Sequence, residues 1–98
     1  MGKPSSRWEN KDMLDHVRTM PCAYTHKPAE HVHHLIGMGG MSGWGLKAPD
    51  WAVIPVTSEV HEQIHNDPEM QKTQPMMILK NLEKLFNEGR LVFVKKGN

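Results

Sequence analysis

The spacing of apolar positions changes several times along the chain, and each change marks an expected element. Residues 1–9 are polar, with Pro4 and Ser5-Ser6, and predict an arm rather than a packed segment. Met13, Leu14 and Val17 then fall on one helical side behind Asn10, a natural N-cap, so a short helix is expected over 11–20, stopped by Pro21. Cys22 to Pro28 reads as a turn. Strands are expected at 31–36, His31-Val32-His33-His34-Leu35-Ile36, and at 51–56, Trp51-Ala52-Val53-Ile54-Pro55-Val56. Pro55 cannot donate to a ladder, which confines it to a sheet edge or to the strand's exit. Between the strands, five glycines in the nine residues 37–45 exclude a regular element.

Downstream the period becomes helical. Thr57 or Ser58 can cap a helix that begins with Glu59, whose charge suits the positive N-terminal end, and Asn66-Asp67-Pro68 closes it after about two turns. Pro75 suits a first turn, and Ile78, Leu79, Leu82, Leu85 and Phe86 follow the 3.6-residue period until Gly89 ends the helix. Leu91-Val92-Phe93-Val94 adds a terminal strand before the basic pair Lys95-Lys96. There are no internal repeats, and the mixture predicts an α+β domain.

Composition narrows the class. With 98 residues the chain is one domain whose core is small enough to profit from a staple. The single cysteine, Cys22, cannot close a disulfide, so a secreted disulfide scaffold is excluded and a reducing compartment is expected. No stretch approaches 18 apolar residues, and the polar start lacks the apolar run of a signal peptide. The expectation is a soluble cytoplasmic protein with no membrane partner. A formal net charge of +1 supplies no bulk attraction to nucleic acid, so any phosphate contact must be local.

Seven histidines are many for such a chain, and five fall in two groups, His31/His33/His34 and His61/His65. Residues four apart share a helix face, so His61 and His65 can offer two imidazoles to one ion while Val60 and Ile64 pack along the neighbouring stripe. A catalytic divalent site wants three protein ligands and an open position, and His33 or His34 can be the third. The pleat sends adjacent strand residues to opposite faces, so both serve one site only if the strand bends or ends there. A competing motif uses the same helix: His61-Glu62-Gln63-Ile64-His65 satisfies H-E-x-x-H, with Glu62 as the general base of a zinc protease and Glu83 as the available third ligand. That reading leaves the His33-His34 pair and the glycine loop without a task.

Taken together, His33-His34-Leu35-Ile36-Gly37, Lys47-Ala48-Pro49-Asp50, Ile54-Pro55-Val56 and the helical His61/His65 pair resemble the HNH nucleases of the ββα-metal (His-Me finger) superfamily. Among these the chain is most similar to small phage-encoded HNH-like families, some linked to phage recombination. The resemblance covers about residues 22–67. It implies a ββα-metal hairpin-plus-helix core with flanking N-terminal and C-terminal helices, all within a single domain. It further implies that His33, His61 and His65 hold one divalent cation, Zn²⁺ or Mg²⁺/Mn²⁺, and that His34 is the general base.

In the same resemblance Asp50 matches a central position, usually Asn, whose side chain ties the loop to the strand. The cysteine-rich structural zinc site of many relatives is represented only by Cys22, with His26 and His31 as co-ligands at hand. The implied activity is hydrolysis of DNA phosphodiesters to 3′-hydroxyl and 5′-phosphate ends. DNA is the implied partner, together with a second copy of the chain or a recombination or packaging protein. An imidazole with an ordinary pKa near 6.5 suits proton abstraction from water, although the sequence does not identify the acceptor that would orient the His34 ring.

The alternative from another class is a non-catalytic module that binds DNA or protein, in which the ion only staples the fold. Lys47 is a candidate phosphate contact alongside glycine amides. Trp51 is expected in the core, Met38 and Met41 as plugs of the glycine loop onto the core, Trp44 as a pin of that loop or a substrate contact, and His16 on the surface of the first helix. The Ile78/Leu82/Leu85 stripe is core or a dimer contact, and Lys3, Arg7, Lys95 and Lys96 are solvated charges that add weak affinity for DNA.

Overall fold

A computed structural model describes residues 8–37 and 48–91 of the chain. Lys47, most of the glycine loop, the 92–94 part of the expected terminal strand and both flanking basic groups lie outside the described residues. Helix α1 spans Lys11–Arg18, strand β1 His31–His34, strand β2 Val53–Val56, and helices α2, α3 and α4 span Ser58–Asn66, Pro68–Gln71 and Gln74–Asn87. The protein is therefore α+β, with an antiparallel β1–β2 hairpin between helices.

Cross-strand partners share a face of the sheet, and the register pairs His33 with Ile54 and His34 with Val53. Ile54 and Val56 pack on one side with Val60 and Ile64 of α2, Ile78 of α4, Leu35 and Cys22. Val53 packs on the other side with Met13, Val17 and Met20 from the α1 region and Leu85 of α4. Every residue of β2 is thus buried, and both helices α1 and α2 contact both strands. Trp51 is half-buried between the two clusters, as expected of a core tryptophan.

Pro55 sits within β2 without cost because its carbonyl, and hence its missing N–H, points away from β1. On that outer edge the Pro55 carbonyl accepts from Ala23 N–H at 2.9 Å, and the Val53 carbonyl accepts from Asn81 Nδ2 at 3.2 Å. Helix α4 therefore closes the edge with a side chain instead of a third strand. Buried backbone carbonyls without partners are costly, so Asn81 is a structural requirement of this packing.

Helix ends follow their sequence signals. Asn10 Oδ1 accepts from Met13 N–H at the start of α1, and Thr57 Oγ1 accepts from Val60 N–H at the start of α2. Gly89, at φ +78°, ends α4 in a Schellman arrangement, with Gly89 N–H bonded to the Phe86 carbonyl and Arg90 N–H to the Leu85 carbonyl. The expected helix over 11–20 ends two residues early at Arg18, and the strands are shorter than 31–36 and 51–56. Leu35 N–H still bonds to the Ala52 carbonyl beyond the ladder. Helix α3 was hidden because Asp67-Pro68, a stop signal for α2, also starts the next turn: Asp67 Oδ1 accepts from Glu69 N–H and Pro68 occupies N1.

The Ile78/Leu82/Leu85 stripe lies in the core: Ile78 and Leu85 are buried, and Leu82 packs against both clusters. In α4 the buried positions are Gln74, Ile78, Asn81 and Leu85, while Leu79 and Phe86 are 62% and 56% exposed. The helix turns two polar side chains inward because they meet the hairpin's polar groups. His16 is not a bare surface residue either. Its Nε2 lies 2.8 Å from Glu88 Oε1 and ties α1 to the end of α4.

Candidate functional site

Helix α2 packs through Val60 and Ile64, which fixes the direction of the neighbouring stripe: His61 and His65 turn toward β1. There they meet His33, which shares a sheet face with Ile54. Ring centroids are 5.2 Å apart for His33–His61, 5.4 Å for His33–His65 and 4.7 Å for His61–His65, all edge-on. One ring nitrogen from each lies within 4.8 Å of the others, and among the described residues this is the group of histidine, cysteine or acidic side chains that converges. His33 is buried, His61 half-buried and His65 exposed, so the cluster opens toward solvent on the His65 side.

The donor set fits a divalent cation. Three imidazoles on two rigid elements need only small side-chain rotations to close on an ion with M–N distances of about 2.0–2.1 Å, and the solvent side leaves room for a further ligand. The third member of the group is His33 and not Glu83, which is exposed on α4. Glu62 is likewise exposed, and it borders a shallow cavity with Glu59, Gln63, Asn66, Asp67 and Met70 that includes neither His61 nor His65. The Cys22/His26/His31 grouping does not form. Cys22 is buried among Ile54 and Val56, His26 sits in a turn at φ +65°, and His31 Nε2 is 2.8 Å from Ser58 Oγ. Burial opposes ionisation of the Cys22 thiol, but hydrogen bonds from Thr25 and neighbouring backbone outweigh it and hold the thiol below its ordinary value.

His34 faces the α1 side, opposite His33, as the pleat requires, and β1 ends at this residue. Its Nε2 is 2.9 Å from Asp50 Oδ1, and Asp50 is 3% exposed. The other oxygen, Asp50 Oδ2, accepts the Asn10 backbone N–H at 2.8 Å, while Asp50 N–H bonds to the Trp8 carbonyl at 2.9 Å. A carboxylate accepts, so His34 Nε2 carries the hydrogen, and in the neutral ring Nδ1 is the nitrogen with the lone pair. Asp50 is therefore the orienting acceptor that the sequence left unnamed. The motif position suggested a link from loop to strand, and the side chain supplies one through the histidine ring.

Two further residues escaped the sequence reading, Gln74 and Gln71. Gln74 Oε1 lies 2.8 Å from His33 Nε2, and Gln71 Nε2 donates to the Ile64 carbonyl, next to His65, at 3.1 Å. Gln71 also closes over Gly37, where a Cβ would stand 3.0 Å from Gln71 Oε1, and the φ of +73° favours glycine at that turn. The available signal was spacing, since Gln74 lies four residues before Ile78 on the buried side of α4.

Burial pushes the His33 imidazole down to about 4; the bond to Gln74 opposes this, and the charges of His61, His65 and His34 add to it. Burial, then His65 and His31, also lower His61. Cation binding needs neutral imidazoles, and both shifts favour the neutral form of His33 and His61. In the unfolded chain His33 takes up its proton near 6.5, so between that pH and about 4 the unfolded state binds more protons. The stability of the cation-free protein should be intact above pH 6.5 and fall as pH drops toward 4, by on the order of 1–3 kcal/mol from this residue. Urea unfolding in EDTA at pH 7.5 and 4.5 measures this, and His33→Asn should flatten the difference by that amount. An unchanged pH slope in the variant would contradict the assignment.

A family model described as a protein of unknown function (DUF968) matches residues 1–89, and the chain belongs to that family. Over 61 residues it is also 41% identical to the uncharacterized protein YdfU of Escherichia coli strain K12. That match covers 62% of this chain and 17% of the relative's length, so the relative is much the longer protein. No solved structure matches the chain. Among the described residues, no helix is long and apolar enough to cross a membrane.

Proposed function

We propose that the chain is a metal-dependent endonuclease of the HNH, ββα-metal class, acting on DNA phosphodiesters. The observation that carries this reading is the adjacency of two units: three histidines converging from a hairpin and the following helix, and, one residue along β1, a histidine held by a buried carboxylate. A structural metal staple would need the first unit and has no use for the second.

In this reading His33, His61 and His65 hold the cation, which when bound supplies Lewis-acid stabilisation of the negative charge that grows on the phosphate and the leaving oxygen. The remaining work belongs to the chain. His34 and His33 are consecutive at the end of the strand, with Cα atoms about 3.8 Å apart, so a phosphodiester laid across that end of the hairpin can reach both sides. Asp50 keeps hydrogen on His34 Nε2, which leaves Nδ1 to take a proton from the attacking water. It also stabilises the imidazolium that results, because a carboxylate at 2.9 Å favours the charged ring. Attack by water at phosphorus breaks the bond to the 3′-oxygen, leaving 3′-hydroxyl and 5′-phosphate ends. A cytoplasmic setting, and a recombination or packaging partner, extend the same reading.

Purified protein incubated with supercoiled plasmid tests it. Nicked circles should form with Mn²⁺, Mg²⁺ or Zn²⁺, disappear with EDTA, and be sealed directly by DNA ligase. If the wild type nicks nothing with any of these ions, the nuclease reading fails, and thermal stabilisation by a cation without nicking would favour a stapled binding module instead.

A further inference from the structure

Gln74 is fully buried, yet its amide is completely used. Oε1 accepts the Ile36 N–H at 3.0 Å and faces His33 Nε2 at 2.8 Å. Nε2 donates to the Ile36 carbonyl and to the Gln71 carbonyl, both at 2.9 Å. Two acceptor positions and two hydrogens are all that an amide has. The orientation is therefore dictated by backbone: turning the amide over would set its NH₂ against the Ile36 N–H and its oxygen against two carbonyls. With Oε1 fixed as an acceptor, the hydrogen between it and His33 must sit on the imidazole Nε2. A neutral imidazole has one such hydrogen, so Nδ1 carries the lone pair.

We propose that Gln74 is a positioning residue of the three-histidine site, locking His33 in the Nε2–H tautomer so that Nδ1 is the atom offered to a divalent cation. The proposal rests on the reading that this site binds a cation. A histidine ligand is usually oriented through its other ring nitrogen by a carboxylate or a carbonyl. Here the carbonyl comes from the first turn of α4, 41 residues beyond His33 in the chain. Its own rigidity comes from the backbone of Ile36, at the exit of β1. Gln71 acts in parallel on the other ligand-bearing element through the Ile64 carbonyl. The junction between α3 and α4 thus braces both halves of the site, although none of its residues is a ligand.

The tautomer can be read without any cation. In wild-type protein with ¹⁵N-labelled histidine, in EDTA at pH 7.5, long-range ¹H–¹⁵N correlations should show His33 protonated at Nε2. Gln74→Leu should show both tautomers and bind Zn²⁺ about 10–100-fold more weakly by calorimetry. Gln74→Glu keeps an acceptor for His33 and for Ile36 N–H and, protonated on the oxygen that faces the Ile36 and Gln71 carbonyls, a donor for one of them, so it should retain the Nε2–H form and bind Zn²⁺ more tightly than Gln74→Leu. Should Gln74→Leu fail to fold, the wild-type tautomer and the glutamate variant still decide. Cation bound with His33 protonated at Nδ1, or a folded Gln74→Leu with unchanged tautomer and affinity, overturns the proposal alone. The expected tautomer in a wild type that binds neither Zn²⁺ nor Mn²⁺ overturns the cation reading, and the proposal with it.

Discussion

Replacing His34 with alanine should slow plasmid nicking by about 10²–10⁴-fold, the usual contribution of a general base, while leaving Zn²⁺ or Mn²⁺ affinity within a few-fold of wild type. The two effects separate because His34 projects from the opposite sheet face to His33, and its ring is held by Asp50 rather than by the histidine cluster. Truncation leaves the buried Asp50 carboxylate with one bond fewer, at a cost of about 1–3 kcal/mol of stability. His34→Gln is the better-controlled variant, since an amide can still donate toward Asp50 but cannot take the proton. Both variants should fold, bind the cation and fail to cut. Nicking at the wild-type rate by either one removes His34 from the chemistry.

His65→Ala should have the opposite signature, with stability of the cation-free protein nearly unchanged and both cation binding and nicking lost. His65 is exposed, so its removal opens no cavity. It is one of three ligands, however, and its loss should exceed the roughly 10–100-fold penalty typical of removing an outer supporting partner. Calorimetric titration with Zn²⁺ measures the affinity, and urea unfolding in EDTA measures the stability. Wild-type affinity in His65→Ala would show that the cluster is not where the cation binds. Comparing the two variants also separates ligand from base, since one loses cation and activity together and the other loses activity alone.

Much of this site was legible because its elements announce themselves locally. The i, i+4 spacing of His61 and His65 needs only a helix, and Val60 and Ile64 say which way that helix must lie. Choosing between His33 and His34 needed one further fact, the cross-strand register, because the pleat assigns faces only once a partner is known. The link from Asp50 to His34 was half legible: the position was marked, but its partner lies 16 residues away, across an interval whose path the sequence does not give.

Gln74 and Asn81 give no signal in the apolar periodicity of α4, which treats every polar residue as outward. Both are inward because the surface they meet is itself polar, the His33 imidazole in one case and a strand carbonyl in the other. Helix periodicity describes the helix, and the identity of the opposing surface decides which of its faces is wanted.

The bond from Asn10 to Asp50 is of another kind. The donor is the main-chain N–H, so every residue except proline at position 10 would supply it, and the asparagine side chain is occupied separately in capping α1. Substitutions at this point should leave the support of His34 in place, whereas an insertion or deletion between Trp8 and Lys11 would carry the donor out of reach. What is held constant here is the length of the connection rather than the identity of a residue, so an alignment column at position 10 could vary freely while the spacing around it does not.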